Sequence, residues 1–315
     1  MKKILIACLG ALLAGCAAES RQGPPPAPVN PQRIVVLTNE GTEAVLALGV
    51  KPVGAANSWL GSPWYPHIAE AMEGVEPVGQ ESAINLEHVA ALEPDLILAN
   101  RQRHDEIRGQ LTAIAPTVFS RRLRGDWRIN LGLYAESLGL AERGAEVLAR
   151  YDARVDALAA ALGDRLAEEV SVVRFLAGQT RLYQLDSFSG VVLGDLGFRR
   201  PANQAVNAFT RTVGRESIPE MDGDRIFYLT FDSGSGDGAA AAERVLTDPL
   251  WLGLSAVRAG RVHGVDDGIW NTAGGVLAAQ LMLEDIAEIY GVDSALLAAA
   301  PPPPEGAVRP SDPSP

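Results

Sequence analysis

The chain has 315 residues, with 27 lysines and arginines against 39 acidic residues and a formal net charge of −12 at pH 7. So acidic a balance argues against nucleic acid as a partner, since such a surface must be basic. The two cysteines, Cys8 and Cys16, both stand near the start, so no disulfide framework supports the remainder, which is long enough to build one or two ordinary hydrophobic cores.

The opening "MKKILIACLG" sets two lysines before about ten mostly apolar residues, the layout of an export signal, and the run is too short for a permanent membrane span. The following Leu13-Ala14-Gly15-Cys16 resembles the lipobox of bacterial lipoproteins, where cleavage before the cysteine frees its thiol for a diacylglyceryl group. That resemblance implies a signal peptide over 1–15 and a lipid on Cys16, with no other covalent cofactor. Acyl chains contribute about 0.8 kcal/mol per buried methylene, so the exported protein is expected to be membrane-anchored, facing the periplasm or the cell exterior. Residues 16–32 are proline-rich and read as an extended spacer. Residues 299–315 have the same composition and read as a disordered tail.

Between these ends, short β-branched runs alternate with longer helical patterns, the signature of parallel sheets covered by helices. Strands are expected at Arg33–Thr38, Pro52–Ala56, Asp95–Asn100 and Pro116–Ser120. A nearly continuous helix is expected from Asp126 to about Glu168, with Leu131, Leu138, Ala145, Leu148 and Tyr151 at helical spacing. Strands resume at Val170–Ala177, Arg181–Leu185, Asp224–Phe231 and Arg261–Asp266. The fold class expected is α/β: two Rossmann-like lobes with mostly parallel central sheets, joined by one long rigid α-helix. The N-terminal lobe spans 33–126, the interlobe helix region 127–168 and the C-terminal lobe 169–298.

"RIVVLTNEGTEAVLALGVKPVGAA", "INLEHVAALEPDLILAN", "LTAIAPTVF", "LDSFSGVVLGDLGFRRP", "DPLWLGLSAVRAGRVHGVDDGIWN" and "GGVLAAQLMLEDI" follow the lipobox in this order. So arranged, they make the chain resemble the helix-backboned substrate-binding lipoproteins of ABC importers for ferric siderophores, ferric dicitrate and cobalamin. "RHDEI…QLTAIAPTVF" followed by "GDW" is most similar to the ferric-citrate and hydroxycarboxylate-siderophore branch. The resemblance implies a monomeric carrier that is not an enzyme, takes a ferric siderophore and delivers it to an ABC permease dimer. It also implies docking roles for Glu87 and Glu216, one acidic residue on each lobe, engaging arginine pockets of the permease.

The residues themselves support a cleft. Ligands of open parallel sheets collect beyond the carboxyl ends of strands, and there stand Arg101, Arg103 and His104, then Arg121, Arg122 and Arg124. Guanidinium forks suit carboxylates, so in an acidic protein this reversal of sign points to an anionic ligand of ferric-citrate type. Trp59, Trp64, Tyr65, Tyr183 and Trp270 are candidates for apolar pocket walls. Arg174 interrupts an apolar strand and must pair or face the cleft. Trp251 reads as core, and Trp127 as either pocket or helix staple.

Alternatives are weaker. His67, His88, His104 and His263 fit no metal or triad spacing, so no protein-held metal is expected. A bare zinc or manganese ion, heme and cobalamin remain rival ligands. "SGSGDGA" mimics a dinucleotide loop, but Asp232 and Asp237 beside it would repel a pyrophosphate, and a loop needing glycine for its turns explains it.

Overall fold

The computed structural model describes residues 31–298, so the signal peptide, Cys16, most of the proline-rich linker and the 299–315 tail lie outside the described residues. Two sheets form the lobes. The first contains β1 (Ile34–Val36), β2 (Gly54–Asn57), β3 (Glu76–Gln80), β4 (Ala83–Ile84), β5 (Leu96–Asn100) and β6 (Thr117–Ser120), in the order β4-β3-β2-β1-β5-β6. Only β4 runs antiparallel. Central β1 and β5 are buried throughout, which is why they read as unbroken apolar runs.

The second sheet contains β7 (Val170–Leu176), β8 (Gln179–Tyr183), β9 (Thr210–Val213), β10 (Arg225–Thr230) and β11 (Val262–Val265), ordered β11-β10-β7-β8-β9. It is mixed: β7, β10 and β11 are parallel, whereas β8 and β9 are antiparallel to their neighbours. The cause is local. Ala177 and Gly178, the latter at φ +69°, are the whole connection between β7 and β8, and two residues can make a hairpin but not a crossover. Strands β3, β4 and β9 escaped the sequence reading because they are short or, in β3, interrupted by Pro77 and Gly79.

The expected continuous helix is instead two, Trp127–Ser137 and Ala141–Leu162, separated at Gly139 with φ +69°. A 3-10 turn over Gly163–Ala167 completes the region. The 22-residue second helix crosses between the lobes over about 33 Å. Val147, Tyr151, Val155, Leu158 and Leu162 form its buried stripe. Arg128 clamps Asp152 at 2.8 and 3.1 Å, tying the two helices to each other, while Tyr151 Oη donates to Asp195 Oδ2 at 2.9 Å and Arg128 Nη1 lies 3.8 Å from the same carboxylate, tying them to the C-terminal lobe.

A second crossing adds stiffness. The Val276–Ile289 helix returns to the N-terminal lobe, where Glu43, wholly buried in the Asn39–Ala47 helix, accepts from Ala278 N at 2.9 Å. The other Glu43 oxygen lies 2.5 Å from His67 Nε2. The largest hydrophobic cluster draws on both lobes and both crossings, with a smaller cluster on one face of each sheet.

Candidate ligand-binding cleft

Between the lobes lies a cleft of about 690 Å³. Its walls come from the carboxyl ends of parallel strands and from the β7–β8 hairpin: Trp59 after β2, Arg103 after β5, Arg124 after β6, Arg174 in β7, Arg181 in β8 and Phe231 after β10. Asn271 to Gly274 close one side, leaving a π-turn over Gly268–Thr272. Such turns re-aim side chains and recur at functional sites. No helix among the described residues is long and apolar enough to cross a membrane.

Arg103 reaches Glu81 at 3.4 Å and lies 5.7 Å from the Trp59 ring centre, joining two predicted residues in one contact. Its rim is set by Asn100, which caps the Arg101–His104 turn through Gln102 N and ties β5 to β6 through Ser120 Oγ at 2.9 Å. Arg124 has φ +78°, a left-handed conformation rare for a side-chain-bearing residue, and this lays its guanidinium 4.0 Å from the Phe209 ring. Burial, then the Arg103 and Arg122 charges, pull its pKa below the usual value against the pull of Asp186. Arg174 donates to Asp267 at 2.5 and 2.8 Å and to Tyr183 Oη at 3.0 Å. Burial works against its charge, but Tyr183 and Asp267 outweigh it and raise the pKa. Neither Arg124 nor Arg181 belongs to an ion pair among the described residues; Arg181 holds Gln179 Oε1 at 2.9 Å.

Other predicted residues fall elsewhere. Arg101 and Arg121 are exposed and off the cleft walls. Arg122 is consumed as a latch between lobes, bonded to Asp126 at 2.5 and 3.0 Å and to Asp186 at 3.0 Å. Tyr183 is buried beneath Arg174 and is a support rather than a wall. Trp270 is core: it packs 4.6 Å from Phe227 and donates from Nε1 to Asp285 at 2.7 Å. Trp64 and Tyr65 are buried, as are Trp127 against Tyr151 and Trp251 against Phe175.

His104 is also committed internally. Its Nδ1 accepts from Asn100 N at 3.1 Å and its Nε2 donates to Glu81 O at 3.0 Å, while burial lowers its pKa to about 4. The described residues contain no group of three or more His, Cys, Asp or Glu arranged to hold a metal. In the glycine-rich loop the Asp232 carboxylate accepts from Gly234, Gly236 and Ala239 at 2.9 to 3.0 Å, so the backbone donors a phosphate would need are taken. Sequence reasoning missed Arg181, Phe209, Phe231 and Asn271 to Gly274. Glu87 and Glu216 are both exposed, in the first turns of Leu86–Ala91 and Arg215–Met221.

Two α/β lobes holding a cationic, aromatic cleft across stiff helical crossings define a solute-binding protein rather than an enzyme. The chain belongs to the periplasmic binding protein family, whose model matches residues 34–267. It is 49% identical over 268 residues, 82% of each chain, to the "Probable siderophore-binding lipoprotein YfiY" of Bacillus subtilis. It is 32% identical, also over 268 residues, to the achromobactin-binding periplasmic protein of Dickeya dadantii, covering 83% of this chain and 87% of that one. The crystal structure of Staphylococcus aureus SirA complexed with staphyloferrin B matches with a TM-score of 0.78 at 32% identity, covering 84% of this chain and 94% of SirA.

Proposed function

We propose that this protein captures a ferric siderophore of the polycarboxylate type in the interlobe cleft and delivers it to an ABC permease for iron import. The carrying observation is the combination of Arg124 and Arg181, both without a carboxylate partner, on one cleft with the paired Arg103 and Arg174. In a protein of net charge −12, four guanidinium groups converging on one cavity make a local field that suits a complex with surplus negative charge. Trp59, Phe209 and Phe231 supply apolar walls for the organic part of the ligand. The likeness to proteins named for siderophore and achromobactin binding supports the same ligand class.

Delivery would use Glu87 and Glu216, exposed on different lobes and away from the cleft walls. Two separated charges fix register and raise on-rate at little cost in desolvation. Anchoring would use a lipid on Cys16, in keeping with the lipoprotein relatives. The stiff double crossing implies small closure on binding. A panel titration tests the ligand class: ferric citrate, citrate-hydroxamate, triscatecholate and trihydroxamate complexes, heme and cobalamin, followed by tryptophan fluorescence, with Trp59 in the cleft as reporter. Preference for the ferric polycarboxylates supports the reading, and preference for heme or cobalamin overturns it.

A further inference from the structure

The segment 121–126, "RRLRGD", leaves β6 and runs along the C-terminal lobe before the Trp127–Ser137 helix begins. Its own lobe and that helix hold it at two points. Leu123 N donates to Gln102 Oε1 at 3.1 Å, and Arg122 O accepts from Asn130 Nδ2 at 2.6 Å, the same nitrogen lying 3.1 Å from the buried Glu40 carboxyl. Two alternate arginines then meet the other lobe. Arg122 donates to both oxygens of Asp186 at 3.0 Å, and Arg124 lies over the Phe209 ring at 4.0 Å.

Those two targets are neighbours. Asp186 N donates to Ala208 O at 3.0 Å and Gln184 N to Phe209 O at 3.0 Å, so one pair of bonded segments carries the carboxylate and the ring together. Gly125 fits against the same carboxylate: a Cβ there would stand 2.7 Å from Asp186 Oδ1 and 3.2 Å from Val191, so even alanine would push the segment or Asp186 aside. Asp186 is not part of the cleft wall, whereas Arg124 is, and is exposed. The left-handed backbone at Arg124 costs free energy and persists only where neighbouring contacts over-determine it. Arg122 and Gly125, which flank Arg124 and bear on the other lobe, both meet Asp186.

We propose that Asp186 is a positioning residue: through Arg122 and Gly125 it holds the Arg124 guanidinium on the cleft wall, so that capture of an anionic ferric complex depends on Asp186 although the two never touch. It rests on the reading of such a complex as the ligand. The sign of the effect separates this role from simple electrostatics. The Asp186 charge attracts Arg124 and opposes any anion near it, so by charge alone its removal would tighten binding. Loss of a positioned guanidinium weakens binding instead.

Two readouts on the full protein test this. In Asp186→Ala, Arg122 keeps its pair with Asp126 at 2.5 and 3.0 Å, so no cation is stranded and the variant should fold, as its melting temperature checks. Its affinity for ferric citrate, by isothermal titration, should fall about tenfold, but by less than about twofold where Arg124 is already alanine. Gly125→Ala, which pushes on the same contact from the other side, should show the same dependence on Arg124. Equal or tighter binding by Asp186→Ala, or an equal loss with and without Arg124, would overturn the assignment. The second readout needs no ligand: in a crystal structure of Asp186→Ala, Arg124 should leave both its left-handed conformation and the Phe209 ring, and an unmoved Arg124 overturns the proposal. Should wild type bind no ferric polycarboxylate while Arg124 moves in the variant, the ligand class is wrong and the positioning of Arg124 by Asp186 stands.

Discussion

Arg174 and Arg181 stand directly opposite each other in the β7–β8 ladder. Two like charges so placed repel, and Asp267 resolves the conflict by taking Arg174 in a bidentate pair. Burial pushes the Asp267 carboxyl above its ordinary range, yet the always-charged guanidinium against it keeps the pair ionic at neutral pH. Arg181 is left with its charge directed at the cleft. Asp267 also begins the Gly268–Thr272 turn that leads into the opposite wall, so one ion pair fixes both sides of the site. Asp267→Ala should then lower stability by about 3 to 5 kcal/mol, because it strands a buried charge. Urea unfolding measures this; a loss below about 1 kcal/mol would show that Arg174 finds another partner.

Arg124 and Arg181 are expected to carry binding. Alanine at either should weaken affinity for an anionic ferric complex about tenfold to a hundredfold, the size of a charge-assisted hydrogen bond. Exposed Arg101 and Arg121, off the walls, should change it by no more than about threefold. Isothermal titration of the four variants separates the two classes.

Glu40 makes stability depend on pH. Its folded pKa lies above the unfolded one, so over the intervening range the unfolded chain binds fewer protons than the native chain, and stability falls as pH rises. Glu40→Gln removes that term. The melting temperature of the variant relative to wild type should climb from pH 4 towards pH 8, and a constant or falling difference would contradict the raised pKa.

On the proposed function, delivery and capture would use different surfaces. Charge reversal at Glu87 and Glu216 together should abolish uptake by cells while leaving ligand affinity within about twofold. A matching loss of affinity would place these residues in the binding site. Cys16→Ser should release the protein from membranes without altering its melting temperature, as detergent partitioning and intact mass would show.

Much of this was readable from the residues. The apolar runs located the central strands of both sheets, and the arginines beyond β5 and β6 located one wall. Arg181 was missed although the residues carry a signal for it: counting outward from the two-residue turn Ala177-Gly178 places 176 against 179 and 174 against 181, so an arginine set on the cleft face at 174 names its neighbour. Tyr183 and Trp270 were misplaced because position near a strand end gives depth along the sheet, not the direction of the side chain. Phe209 and Phe231 carry no local signal. Phe209 matters only because the left-handed backbone at Arg124 turns a guanidinium onto its ring, a contact across 85 positions of sequence that no local pattern encodes.

The most direct measurement is the rate of association, by stopped-flow tryptophan fluorescence, of a ferric polycarboxylate complex and a neutral ferric trihydroxamate at rising ionic strength. Attraction between opposite charges is screened beyond about 8 Å at physiological salt. The anionic complex should therefore bind more tightly than the neutral one and associate more slowly as salt is added, with the slope reduced in Arg124→Ala and Arg181→Ala. Tighter binding of the neutral complex, with association unaffected by salt and by both substitutions, would contradict a cleft built for anionic iron complexes.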